Sequence, residues 1–84
     1  MTKRLFISQP VQHLTLASFD AELSLLQRYG FLSRNQTTNI LERAAAHPWP
    51  CIASVEQRDK KGATYVQIGQ HHYRVNNRAE VFAG

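Results

Sequence analysis

The tetrapeptide His47-Pro48-Trp49-Pro50 divides this chain into two halves with different periodicities. A residue that precedes proline is pushed out of the α region, so no helix can run through His47, and the paired prolines make a stiff connector. Ahead of it, apolar residues recur at helical spacing; after Cys51 the period becomes that of extended chain and turn signals come close together.

In the first half, Leu16, Phe19, Leu23, Leu26 and Tyr29 form one helical stripe, Thr15 or Ser18 can cap its start, and Gly30 stands where a left-handed C-terminal cap belongs. These signals predict a helix over residues 16–29. Ser33 followed three residues later by Gln36 is a capping box, in which hydroxyl and amide satisfy each other's backbone N–H groups. A second helix is therefore expected over 34–46, with an inward stripe of Thr37, Ile40, Leu41 and Ala44, extending to Ala45. Upstream, the bulky run Lys3-Arg4-Leu5-Phe6-Ile7, stopped by Pro10, reads as a first strand.

The second half reads as strands over 51–57, 63–68 and 71–75, with a polar loop at 58–62 and a tight turn at Gly69-Gln70. Asn76-Asn77 is a candidate for another two-residue turn, leading to a last strand over 78–82. Turns this short leave no room for the crossover that parallel strands need, so the meander must be antiparallel. The expected fold is α+β with two layers: a helical hairpin packed on an antiparallel β-meander, in the order β-α-α-β-β-β with room for one more strand. Its 84 residues make a single domain, 1–84, and 43% apolar against 19% charged residues is the composition of a folded globule.

The same residues exclude several kinds of chemistry. Cys51 is the one cysteine, so no internal disulfide forms, and four scattered histidines with it lack zinc-site spacing. His71 and His72 are adjacent on a strand and point to opposite faces, which argues against a shared metal. No cofactor motif occurs, and no Ser-His-Asp set, carboxylate pair or phosphate-cradling glycine loop can be assembled. The chain reads as a binding protein rather than an enzyme. Only three apolar residues follow Lys3 and Arg4 before Ser8, fewer than the ~7 to 15 of a signal-peptide core, and no run approaches the ~20 of a membrane span. The expected compartment is the cytoplasm. A net charge of +4 favours polyanionic partners.

The stretch Gly30-Phe31-Leu32-Ser33-Arg34-Asn35-Gln36-Thr37-Thr38-Asn39-Ile40-Leu41 resembles a helix-turn-helix, with Thr37 where that family usually has an aliphatic residue. In that family glycine begins the turn, a hydroxyl caps the recognition helix, and a late apolar residue packs it on its partner. A helical wheel sets Asn35, Thr38, Asn39, Glu42 and Arg43 outward. The resemblance implies a DNA-binding regulator whose Asn35 and Asn39 amides and Thr38 hydroxyl face bases while Arg34 and Arg43 meet phosphates. Arg58, Lys60 and Lys61 on the 58–62 loop would then serve as a wing touching the backbone beside the recognition helix. An ordinary helical hairpin and a solvated turn carry similar residues.

A second resemblance lies in Ile40-Leu41-Glu42-Arg43 running into His47-Pro48, then Tyr65-Val66-Gln67-Ile68-Gly69 and Tyr73-Arg74-Val75, which looks like the layout of the RelE/ParE toxin family. It implies an mRNA endoribonuclease in which Arg74, with Tyr73 and His72 or His71 nearby, acts on the scissile phosphate; Val66 and Gln67 replace the customary basic residue before the glycine turn. Independently, a sheet face bearing Tyr65, Gln67 and either His71 with Tyr73 or His72 with Arg74 would suit bases and phosphates. A third class, the protein-binding inhibitor that small phage or plasmid genes encode, needs no catalytic residue. The partners in view are thus nucleic acid, DNA before RNA, or a host protein, and a homodimer is compatible with each.

Overall fold

A computed structural model describes residues 12–57 and 63–83 of the protein. Its elements are β1 (Gln12–Leu14), α1 (Leu16–Arg28), α2 (Arg34–Ala45), β2 (Cys51–Gln57), β3 (Thr64–Ile68), β4 (His71–Val75) and β5 (Val81–Ala83). The strands form one antiparallel sheet in the order β1-β2-β3-β4-β5, and the fold is α+β, a helical hairpin on a meander.

Both helices begin as their caps dictate. Thr15 accepts the Ser18 N–H at 3.1 Å, and α1 places Phe19, Leu23 and Leu26 in the core. Gly30 follows it at φ 86°, a conformation that costs a side-chain-bearing residue energy, and the Phe31 N–H closes back on Leu26 O at 2.8 Å. In α2 the capping box is complete: Gln36 N donates to Ser33 Oγ at 3.1 Å and Ser33 N to Gln36 Oε1 at 2.8 Å. Thr37 is buried although polar because its hydroxyl donates to Ser33 O at 3.0 Å. Ala45, expected inward, is exposed: the buried residues of α2 are Gln36, Thr37, Ile40 and Ala44. Beyond Ala46, Trp49 turns back on the helices, its ring 5.3 Å from Phe19 and its Nε1–H donating to Ala44 O at 2.8 Å; the Trp49–Pro50 bond is cis.

One face of the sheet meets the helices. Ala53, Val55, Val66, Ile68 and Val75 pack under Phe19, Leu23, Leu26, Leu32, Ile40 and Ala44 in a single core. The Thr64 side chain also points inward, with no hydrogen-bond partner among the described residues for its buried hydroxyl.

Several boundaries differ from the expected ones: α1 ends at Arg28, leaving Tyr29 exposed, α2 ends at Ala45, β3 starts at Thr64, and the last strand ends at Ala83. The strand expected over 3–7 lies outside the described residues; the strand that pairs with β2 is the three-residue β1, too short to show a period. Asn76-Asn77 is not a two-residue turn. Residues 76–80 form the connection, held by Asn76 Oδ1, which accepts from the N–H groups of Arg78 (3.0 Å) and Glu80 (2.9 Å), and by Ala79 at φ 67°. The last strand accordingly starts at Val81 rather than Arg78.

Candidate nucleic-acid interface

The end of the sheet where Gln57, Thr64, Val75 and Val81 lie side by side meets the part of α2 that carries Arg34, Asn35, Thr38 and Asn39. Gln57, the last described residue of β2, and Thr64, the first of β3, pair there, and the 76–80 connection joins Val75 to Val81 at the same end. The beginning of α2 is fixed over this end by two side-chain bonds: Gln36 Nε2 donates to Asn76 O at 2.9 Å, and Asn39 Nδ2 to Ala79 O at 2.6 Å. Residues far apart in sequence are thereby brought to one pole of the molecule.

Arg34, Asn35 and Thr38 are exposed on the side of α2 away from the core, as the helical wheel implied. Asn39 is half-buried, and its amide is engaged with the 76–80 connection rather than directed outward. Arg43 is exposed but leans the other way, its guanidinium carbon 5.8 Å from the centre of the Tyr73 ring. Glu42 is exposed one turn beyond Thr38, so only the first two turns of the outer flank lack an acidic group. Arg78, which the sequence reading passed over, is exposed on the 76–80 connection at the same pole; the basic residue between Asn77 and Ala79 was its only signal. Arg58, Lys60 and Lys61 lie outside the described residues.

Charge is unevenly divided along the chain. Arg28, Arg34, Arg43, Arg74 and Arg78 are matched in number by Asp20, Glu22, Glu42, Glu56 and Glu80, so the described residues carry no net charge. The whole excess of +4 belongs to Lys3, Arg4, Arg58, Lys60 and Lys61, offset by Asp59.

The residues grouped by the toxin-family resemblance are separated by the pleat. Tyr73 faces the helices, where its Oη shares a 2.8 Å hydrogen bond with His47 Nε2 and its ring stacks 6.5 Å from His71. The rings of His47 and His71 are 4.9 Å apart. Burial first, and then the neighbouring His71, lower the His47 pKa below its ordinary 6.5. His72 and Arg74 occupy the opposite face, where register sets His72 beside Gln67, and Arg74 between Tyr65 and Phe82. Arg74, Tyr73 and His72 therefore do not converge on one phosphate.

No helix among the described residues is long and apolar enough to cross a membrane. Comparison with protein-family models, with curated proteins and with solved structures returned no match.

Proposed function

We propose that this protein binds double-stranded DNA through the pole formed by the first two turns of α2 and the 76–80 connection beneath it, with the basic residues of the 58–62 segment assisting. The observation that carries this reading is the pair of bonds from Gln36 to Asn76 and from Asn39 to Ala79, which hold α2 over the sheet end where the 76–80 connection leaves. A recognition helix works only if its backbone is fixed relative to the groups that grip phosphates, because those contacts set the register in which base edges are met.

In this reading Asn35 and Thr38 face base edges in the major groove and Arg34 and Arg78 meet flanking phosphates. Arg58, Lys60 and Lys61 add sequence-independent attraction from the connection between β2 and β3. Asn39 acts from behind, as a brace. Arg43 contributes at most at the margin, since it lies toward Tyr73. Glu42 repels phosphate and confines the contact to the beginning of the helix.

Titration against random duplex tests the proposal. At ~0.15 M salt a DNA-binding protein holds non-specific duplex with a Kd of ~10⁻⁴ to 10⁻⁶ M, and replacing Lys60 and Lys61 with alanine should flatten the dependence of log affinity on log salt by roughly one unit per contact. Absence of duplex binding by the wild type overturns the reading. An endoribonuclease would instead require the wild type to cut mRNA and Arg74→Ala to abolish cutting.

A further inference from the structure

With both helices on one face of the sheet, the other face is covered by no described element. Register assigns its side chains in rows: Ser54, Gln67 and His72 in one, and Glu56, Tyr65, Arg74 and Phe82 in the next. Phe82 is 43% exposed. The Arg74 guanidinium carbon stands 5.0 Å from the centre of the Phe82 ring. That contact is within cation–π range and keeps the guanidinium beside the aromatic ring.

We propose that this face binds single-stranded nucleic acid, a second site distinct from the duplex-binding pole and independent of it. Adjacent strands lie about 4.8 Å apart, so Tyr65 and Phe82, two strands apart in one row, offer aromatic surfaces separated by roughly 10 Å with Arg74 between them. One base stacks on each ring while Arg74 takes the phosphate that links them, and in the next row His72 and the Oε1 of Gln67, whose Nε2 donates to Gly69 O at 3.0 Å, present hydrogen-bonding groups to base edges. Duplex is excluded because its bases are stacked on one another and cannot reach rings set in a flat sheet. The arrangement, rather than net charge, favours a nucleic-acid strand over a protein: Arg74 stands between two aromatic side chains in one row, as a base-phosphate-base unit requires, while Glu56 closes the far end of that row away from Phe82.

Fluorescence anisotropy with labelled 12-nucleotide oligo-U and oligo-dT, alongside a duplex of equal length, provides the test. The wild type should bind the single strands, Phe82→Ala and Tyr65→Ala should each weaken them by ~5- to 100-fold, and Arg74→Gln should weaken them and reduce the salt slope by about 0.7. Phe82→Leu keeps apolar area without a ring and guards against loss of fold; it should fail as Phe82→Ala does, while Phe82→Tyr should bind normally. Duplex binding without single-strand binding overturns this inference and leaves the duplex reading standing. Single-strand binding indifferent to Tyr65, Arg74 and Phe82 also overturns it. So does a concentration-dependent dimer abolished by Phe82→Ala in a protein that ignores single strands, because the face would then belong to a second copy of the chain.

Discussion

The Asn39 amide and the Ala79 carbonyl are 2.6 Å apart, a hydrogen bond across forty positions of sequence that ties the outer edge of α2 to the last connection of the sheet. Asn35, one helical turn earlier, has no such anchor among the described residues and is exposed. Two asparagines that look alike in the sequence thus serve different ends. Asn39→Ala should lower stability by about 1 kcal/mol and depress the melting temperature, since it leaves a carbonyl without its donor. Asn35→Ala should melt as the wild type does and instead reduce discrimination at one base pair by ~1 to 3 kcal/mol. Equal melting of both variants would contradict this division.

The interface between the helices and the sheet is tested by Leu26→Ala and Ile40→Ala. Both side chains are buried in the core, and each truncation should cost ~2 to 5 kcal/mol, read as a shift of the urea midpoint. Such losses are large beside the ~4 to 12 kcal/mol expected of a chain this size.

Thr64 offers a change in the opposite direction. Its side chain is fully buried with no partner for the hydroxyl among the described residues, and valine has nearly the same shape. Thr64→Val should stabilise the protein by about 1 kcal/mol or more by removing an unsatisfied polar group from the core. A lower melting temperature for the variant would mean that the hydroxyl is in fact satisfied.

His47 makes stability depend on pH. Its folded pKa lies below 6.5, so the unfolded chain binds the proton more readily. Stability is fully present above 6.5 and declines as pH falls from there through the folded value. The groups facing the ring are His71, Tyr73 and, over Tyr73, Arg43. Urea unfolding at about pH 7.5 and about pH 5.5 should give a smaller difference for His47→Gln than for the wild type. An identical difference would assign the slope to other groups.

Local chemistry made most of the fold legible. The capping box at Ser33 and Gln36, the glycine at position 30 and the proline at position 48 act within one or two turns of chain, and they set the helix limits. The 76–80 connection was misjudged because its form depends on the Asn76 side chain bonding to its own backbone two and four residues on, which a count of turn residues does not reveal. The candidate site was half legible for a related reason. A helical wheel separates buried from outward positions, but only the position of Ala79 decides that Asn39 is a brace. Only strand register decides that Arg74 keeps company with Tyr65 and Phe82 while Tyr73 joins His47.

Strand order equal to chain order also sets a timetable for the emerging polypeptide. β1 has no partner until β2 leaves the ribosome, and the helices between them present Phe19, Leu23, Leu26 and Ile40 to water until β2, β3 and β4 follow. Every later strand pairs with the one made just before it, so once β2 is out the sheet grows by short loop closures that cost little entropy and proceed quickly. The interval in which this protein is most exposed to aggregation therefore lasts until its C-terminal half has emerged, and it closes strand by strand as β2, β3 and β4 cover the helices.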